Sequence, residues 1–311
     1  MKRATAFAPA SLGNAAVGFD VLGHSLEGPG DRATVTRNDT GVVRMTAIRG
    51  VVTELPTEPG RNTAGRALLA LQTFAKGRVG FDVELDKGIP LGSGMGGSAA
   101  SAVAAVVAAA SLLEQPLSSE QLYAAAVDGE AAASGAPHGD NVGPMLLGGL
   151  VLAPSHGAPV RLPAPDWLYA AVVHPHFVLE TRVAREALKG SYELHAFVEQ
   201  SECLALVLAG CAAGDASLIK RGLRDVLVEP RRAPLIPGFA NVKQAALDCG
   251  ALGASIAGAG PSVFGWFESK AQAQVAGAAM AAAFKSAGLE SDVLVSKVNG
   301  PKAQLVSSSE A

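Results

Sequence analysis

Val79, Phe81, Val83 and Leu85 alternate with less apolar neighbours, and this two-residue period predicts a half-buried strand over 79–85. A glycine-dense stretch from Gly88 to Gly97 follows. From Ala99 the chain then runs through Ala, Ser, Val and Leu to Leu113 with no charge and no breaker, which predicts a closely packed helix over 99–113. Upstream, strands are expected at 5–8, 32–36 and 42–47 around turns at Pro29-Gly30 and 39–41, with a helix over 62–74 carrying Leu68, Leu69 and Leu71. Ser118 and Gln121 have capping-box spacing for a helix that Gly135 and Pro137 stop near residue 134. A strand follows at 148–152.

Residues 154–165 hold four prolines and no period, so the domain boundary belongs there: one domain over 1–160 and a second over 161–302. The second half predicts a strand at 167–173, helices at 181–188, 194–213, 216–226 and 239–249, strands at 254–257 and 262–267, a helix at 270–287 and a strand at 292–298. With the middle helices collapsed, this is the β-α-β-β-α-β order of a split βαβ unit. The tail, 303–311, is expected to be disordered.

Composition narrows the function classes. A chain of 311 residues suits two domains, and 49% hydrophobic residues suffice for two cores. A net charge of −3 gives no basic field to recruit nucleic acid or an anionic membrane, and 5% aromatic residues argue against base-stacking platforms. Cys203, Cys211 and Cys249 match no zinc spacing and read as buried thiols of a reducing compartment. The first residues lack the apolar core of a signal peptide, and 99–113 is too short to span a bilayer, so a cytoplasmic protein is expected.

Strand, glycine loop and helix start together form an anion-binding arrangement, because bare N–H groups and the positive helix end face the same point. Gly92, Gly94 and Gly97 fit the dinucleotide fingerprint, but Glu114 stands where an acid at the end of a strand is needed, and a helix follows it. A Walker A loop needs an internal lysine, and Lys87 precedes the loop. The string from Gly96 to Ala100 mimics a nucleophile elbow, yet the glycine stretch is too long for that sharp turn. A ligand-free connector would leave the entropic cost of so many glycines, up to about 1 kcal/mol each, unexplained.

Pro90-Leu-Gly-Ser-Gly94-Met-Gly96-Gly-Ser98-Ala-Ala resembles the phosphate-loop signature of the GHMP kinases, with Met95 for the usual Leu and Gly97 for the first Ser. Further strings resemble the homoserine kinase branch of that superfamily: the segment from Ala8 to Gly23, Gly129-Glu130, His138-Gly-Asp140-Asn141-Val142, Thr181-Arg182-Val-Ala-Arg185, Glu229-Pro-Arg-Arg232, and Ile256 to Ser262. They run in family order along nearly the whole chain. The resemblance implies an α+β, two-domain GHMP kinase fold, with an N-terminal ribosomal-protein-S5-domain-2-like domain and a C-terminal ferredoxin-like domain with extra helices. It implies ATP-dependent phosphorylation of L-homoserine, a step towards threonine.

By the same resemblance, nucleotide contacts fall on Asn62, Pro90, Leu91, Gly92, Ser93, Gly94, Met95, Gly96, Gly97, Ser98, Ala99, Ala100 and Thr181. Magnesium falls on Ser98 and Glu130. Asn14, Asp20, His138, Asp140, Arg185 and Arg232 hold the substrate, and Asp140, Asn141 and Arg185 serve catalysis. Residue chemistry agrees with this division. A zwitterion needs an acid for its ammonium and a forked guanidinium for its carboxylate. Glu130 shares a helix face with Leu122 and Ala126, so its carboxylate points where apolar groups point, and Mg²⁺ with phosphates needs such an oxygen donor. Of Arg231 and Arg232, one is expected to point inward. Whether Asp140 is a base or binds ammonium stays open, as do a homodimer, another small alcohol as substrate, a hydrolase using Ser98, and a non-catalytic sensor.

Overall fold

The computed structural model describes residues 2–75 and 78–309, without the Ser134 side chain. Its first sheet contains β1 (Arg3–Gly13), β2 (Leu22–Asn38), β3 (Val43–Gly50), β4 (Gly80–Lys87), β5 (Leu150–Leu152) and β6 (Val160–Arg161). Two helices pack on it, α1 (Thr63–Gln72) and α2 (Gly97–Ala110), and α3 (Ser119–Ser134) lies against those two; the short α4 (Val142–Leu147) leads into β5. The second unit begins with β7 (Tyr169–Pro175) and continues through α5 (Thr181–Glu186), α6 (Leu194–Ala213), α7 (Ala216–Gly222), α8 (Glu229–Arg232) and α9 (Phe239–Asp248). It ends with β8 (Gly253–Ile256), β9 (Val263–Phe267), α10 (Lys270–Ser286) and β10 (Ser291–Lys297), and the chain then returns to the first sheet as β11 (Gln304–Ser309).

In the first sheet the strand order is β11-β1-β2-β4-β3, with β5 also pairing with β2 and β6 lying beyond β5. β2 serves two neighbours on one flank: Leu22–His24 pair with β5 and Arg32–Asn38 with β4. The Pro29-Gly30 turn is therefore a correction. Those residues lie inside β2, where the strand passes between partners and a missing N–H is tolerated. Alanines let α2 lie close to the sheet: Ala99, Ala100, Ala102, Ala104, Ala105, Ala108 and Ala109 are buried. The capping box forms as expected, with Ser118 accepting from the Gln121 N–H.

The second sheet is antiparallel in the order β10-β7-β9-β8, the ferredoxin-like arrangement, with α9 and α10 packed on one face through Phe239, Val242, Ala276, Met280 and Phe284. α6, long and apolar enough to cross a membrane by length and composition, contributes Cys203, Val207 and Cys211 to the main core. Phe264 and Trp266 of β9 join that same core, so the packing is continuous between the domains. Trp266 donates its indole N–H to His24 Nε2 at 3.3 Å.

Two further expectations are corrected. Residues 304–309 pair antiparallel with β1 and form its outer neighbour, and residues 310 and 311 lie outside the description. A serine-rich six-residue segment carries little strand signal by itself; its partner lies at the far end of the chain. The helix expected over 216–226 ends at Gly222, because Asp225 accepts the N–H groups of Leu227, Val228 and Glu229 and turns the chain into α8. Around the expected boundary, β6 pairs with β5 and Leu162 N–H donates to Leu150 O, so the first sheet includes these residues.

Candidate active site

A cavity of about 600 Å³ opens where the glycine loop, the β1–β2 turn, the α3–α4 connection, α5 and the loop 258–260 converge. Each wall has a local cause. The loop from Gly88 to Gly96 ends at a left-handed Gly96, which supplies no side-chain cap to α2, so the first-turn amides of that helix carry no side-chain acceptor. Gly94 has φ +79° and sits so close to the Ala257 carbonyl that a Cβ would collide with it. Ser262 presses on the same loop, its hydroxyl donating to Ser93 O at 2.6 Å. The second domain thereby shapes the loop carried by the first.

Beneath the loop lies a buried ion pair that the sequence reading passed over. Lys87 donates to Asp31, to Gly97 O at 2.6 Å and to Ser101 Oγ at 2.8 Å. Asp31, fully buried, also accepts from Gly88 N–H at 3.0 Å and Ile89 N–H at 3.3 Å. One network thus ties both ends of the glycine loop to β2.

The opposite wall is polar and charged. Asn14, Ala15 and Ala16 occupy the left-handed region at φ 68°, 38° and 62°, a turn that aims Asn14 back across the site. Its Nδ2 donates to Gly258 O at 2.7 Å, its Oδ1 accepts from Asp20 N–H at 3.0 Å, and its own N–H donates to Asp140 Oδ2 at 3.1 Å. Gly13 admits the Asp140 carboxylate, since a Cβ there would overlap it. Asn141 accepts from the Ser11 hydroxyl at 2.8 Å and donates to Asp140 Oδ1 at 3.4 Å. Arg185 holds Asp20 with two bonds, and His138 Nδ1 lies 3.4 Å from the same carboxylate. Phe19 lies near both arginines, its ring centroid 5.7 Å from the Arg185 guanidinium and 5.2 Å from that of Arg232.

Burial dominates the proton affinities. It pushes Asp140 up to about 6, helped by the nearby Asp20 charge and opposed by the Asn14 N–H and Arg185. It pushes Glu130 up to about 7 against the Ser98 hydroxyl, which hydrogen-bonds the carboxylate. His138 is held below its ordinary value by burial, against the pull of Asp20. Arg232, 2% exposed, is lowered to about 10 by burial and then by Arg185, and stays a cation at neutral pH. Two buried atoms in this wall, Arg185 Nε and His138 Nε2, have no hydrogen-bond partner among the described residues, as expected where a ligand supplies the acceptor.

The donor set at Ser98 and Glu130 fits Mg²⁺. A buried carboxylate beside a hydroxyl is the hard, oxygen-only ligation this ion takes, with water and phosphate oxygens completing it.

Most residues singled out in the sequence meet at this cavity: Asn14, Asp20, Asn62, Pro90, Leu91, Gly92, Ser93, Gly94, Gly96, Gly97, Ser98, Glu130, His138, Asp140, Asn141, Thr181, Arg185 and Arg232 all line it. Met95, Ala99 and Ala100 do not. They are buried in the hydrophobic core: Met95 turns inward from the loop, and both alanines are enclosed by the elements packed round the start of α2. Arg232 is the buried member of its pair, and Arg231 turns away. Leu55, Pro56, Lys87 and Gly258 also line the cavity and were missed as site residues. Of these four, only Gly258 lay in a string that the resemblance had picked out, as did Arg182, Ala259 and Gly260, which line the cavity too.

Comparison with known proteins gives a consistent picture. The model for the GHMP kinases N terminal domain matches residues 62–149, and the model for GHMP kinases C terminal matches residues 207–286. A homoserine kinase of Xanthomonas campestris pv. campestris (strain B100) is 59% identical over 306 residues, 98% of this chain and 95% of that protein. A homoserine kinase of Xylella fastidiosa (strain 9a5c) is 56% identical over 305 residues, 98% of this chain and 94% of that protein. The crystal structure of homoserine kinase from Cytophaga hutchinsonii ATCC 33406 superposes with a TM-score of 0.93 at 42% identity, covering 98% of both chains.

Proposed function

Because the chain belongs to the homoserine kinase family of the GHMP kinases, we propose that it transfers the γ-phosphoryl group of ATP to the side-chain hydroxyl of L-homoserine. The observation that carries this reading is a single cavity with two poles: uncapped amides and an oxygen-donor pair at one end, and a zwitterion's complement of charges at the other.

The α2 amides and the loop N–H groups take the nucleotide phosphates, with Asn62 and Thr181 on the same cavity wall. Ser98 and Glu130 hold Mg²⁺, which when bound offsets the charge of the phosphate oxygens. Asp20 takes the substrate ammonium, while Arg232 and Arg185 take its carboxylate, Arg185 also facing the charge that develops on the phosphoryl group. Asn141, fixed by the Ser11 hydroxyl and Asp140, orients the acceptor hydroxyl. Phosphoryl transfer depends on in-line positioning and charge stabilisation more than on covalent help from the protein, so no strong base is required. Asp140 stands as a positioning carboxylate: Asp140→Asn is expected to raise KM for homoserine, whereas a loss in kcat alone would make it a base. Ser98 is hydrogen-bonded to the Glu130 carboxylate, which suits an oxygen donor to Mg²⁺ more than a hydrolytic nucleophile.

The test is a coupled ADP-release assay with homoserine, mevalonate, galactose and shikimate. Turnover confined to homoserine supports the proposal. Turnover on another alcohol alone moves the chain elsewhere in the superfamily, and ATP binding without turnover on any of them favours a sensor.

A further inference from the structure

Arg185 stands on a helix too short to hold itself. α5 spans six residues, and its N-cap Glu180 makes no side-chain capping hydrogen bond. Isolated helices shorter than about 12 residues are marginal even in favourable sequences, so the aim of Arg185 has to come from tertiary anchors. Ala184 is buried beneath the helix and Leu179 just ahead of it. Asp20 holds the guanidinium itself, and the two consecutive arginines of α8 hold the backbone around it.

Arg232 reaches inward and donates Nε to Ala184 O at 3.1 Å, inside α5. Arg231 turns the other way and takes the carbonyls that follow. Its Nη1 donates to Leu188 O at 3.2 Å and Lys189 O at 2.8 Å, and its Nη2 to Ser191 O at 2.5 Å. The guanidinium carbon sits over the Tyr192 ring, 3.7 Å from its centroid, and the Tyr192 hydroxyl donates to Leu188 O at 2.8 Å. Leu188 N–H in turn bonds Arg185 O at 3.0 Å. These carbonyls belong to the segment that leaves α5; the helix's own last carbonyls are taken by the Ala187, Leu188 and Lys189 N–H groups and by Arg232.

Resting on the reading that Arg185 meets the substrate, we infer that Arg231 is the positioning residue for Arg185: it clamps the exit of α5 from outside the cavity while Arg232 clamps its middle. Arg231 does not line the cavity and acts only through the helix it holds. A lysine cannot replace it, because one ammonium head cannot span three carbonyls and stack on a ring together. Misplacement of a clamp group by about 1 Å can cost up to about a hundredfold in rate, so a distal anchor has leverage on the reaction.

The test is a double-mutant cycle on the full chain, measuring kcat and KM for homoserine and for ATP in the wild type, Arg231→Ala, Arg185→Ala and the double variant, with Arg231→Lys and Tyr192→Leu as milder lesions. Arg231→Ala is expected to lower kcat/KM for homoserine about tenfold, to move KM for ATP less than about twofold, and to have almost no further effect once Arg185 is alanine. Arg231→Lys should lose most of what alanine loses, and Tyr192→Leu a smaller part. Losses that multiply in the Arg185→Ala background overturn the inference, as do equal losses for both substrates or full activity in Arg231→Ala. If Arg231→Ala is insoluble, the same cycle with Arg231→Lys decides by the same criteria. A wild type inactive on homoserine removes the functional reading itself; an active wild type with an additive cycle removes only the role of Arg231.

Discussion

Arg185 and Asp20, 165 residues apart in the chain, face each other as a two-pronged ion pair at 2.9 and 3.2 Å. One comes from the β1–β2 turn and the other from α5, so the pair bridges the two domains across the cavity. Their charges are the complement of an amino acid's two ends, and a zwitterion entering between them exchanges one pairing for two. Removing Asp20 should therefore be felt by the amino group. Asp20→Ala is expected to raise KM for homoserine about 10- to 100-fold, the loss of a charge-assisted bond of roughly 1.5–3 kcal/mol. Turnover of 4-hydroxybutyrate, which lacks the ammonium, should change only about twofold. Equal penalties on both substrates would show that Asp20 does not read the ammonium.

The two raised carboxyls predict an acid limb. Glu130 at about 7 must be ionised to hold Mg²⁺ and Asp140 at about 6 to accept from Asn14 and Asn141, and falling pH protonates them in that order. For the free enzyme, kcat/KM should fall with a slope near one below about pH 7, steepening towards two below about pH 6. Saturating Mg²⁺ with ATP should shift the upper limb of kcat to lower pH, because a nearby cation favours the ionised carboxylate. Glu130→Gln should retain only the lower limb in its residual activity. A pH-independent kcat/KM between pH 5 and 8 would remove both carboxylates from the binding machinery.

Much of this was legible in local sequence. The alternation of Val79, Phe81, Val83 and Leu85, the glycine run and the alanine helix are short-range signals, and they correspond to β4, the loop and α2. Ser118 and Gln121 marked a helix start because a capping box is complete within four residues. β11 was illegible because its pairing with β1 spans almost the whole chain, and the small Ser side chains give no period. Pro29 misled for a related reason: a proline ends a strand only where its N–H is needed, and here β2 is changing partners on that flank. The Lys87–Asp31 pair left no trace either, since Asp31 looks like an ordinary strand residue until the loop folds over it.

That buried pair sets a stability prediction. Lys87 is 5% exposed on its side chain and Asp31 0%, so removing either charge leaves the other uncompensated. Lys87→Met is expected to cost about 3–5 kcal/mol, the usual penalty for breaking a buried pair by deleting one partner. The double variant Lys87→Met with Asp31→Asn removes both charges and should recover more than half of that loss, while KM for ATP stays raised because the loop ends are no longer tied. Urea unfolding of the three proteins measures the first effect and steady-state kinetics the second. A double variant as unstable as the single one would mean that packing, not charge, accounts for the cost.

Gly97 stands where the family's loop usually has serine, and the local geometry decides what restoring the serine would do. A Cβ at this position would lie 3.2 Å from Ile89 Cγ2, a tight contact that a shift of a few tenths of an ångström relieves, and the backbone is not in the left-handed region. Serine also gains a few tenths of a kcal/mol over glycine in helix propensity, roughly offsetting that crowding. Gly97→Ser should therefore fold with a stability within about 1 kcal/mol of the parent and change KM for ATP less than about threefold. The same position as valine should behave differently, because a branched Cβ cannot share the space with Ile89 and the phosphate side of the loop together. Thermal unfolding and ATP kinetics of the two variants side by side would check this, and a large loss for serine would show that the loop tolerates no side chain at its entry to α2.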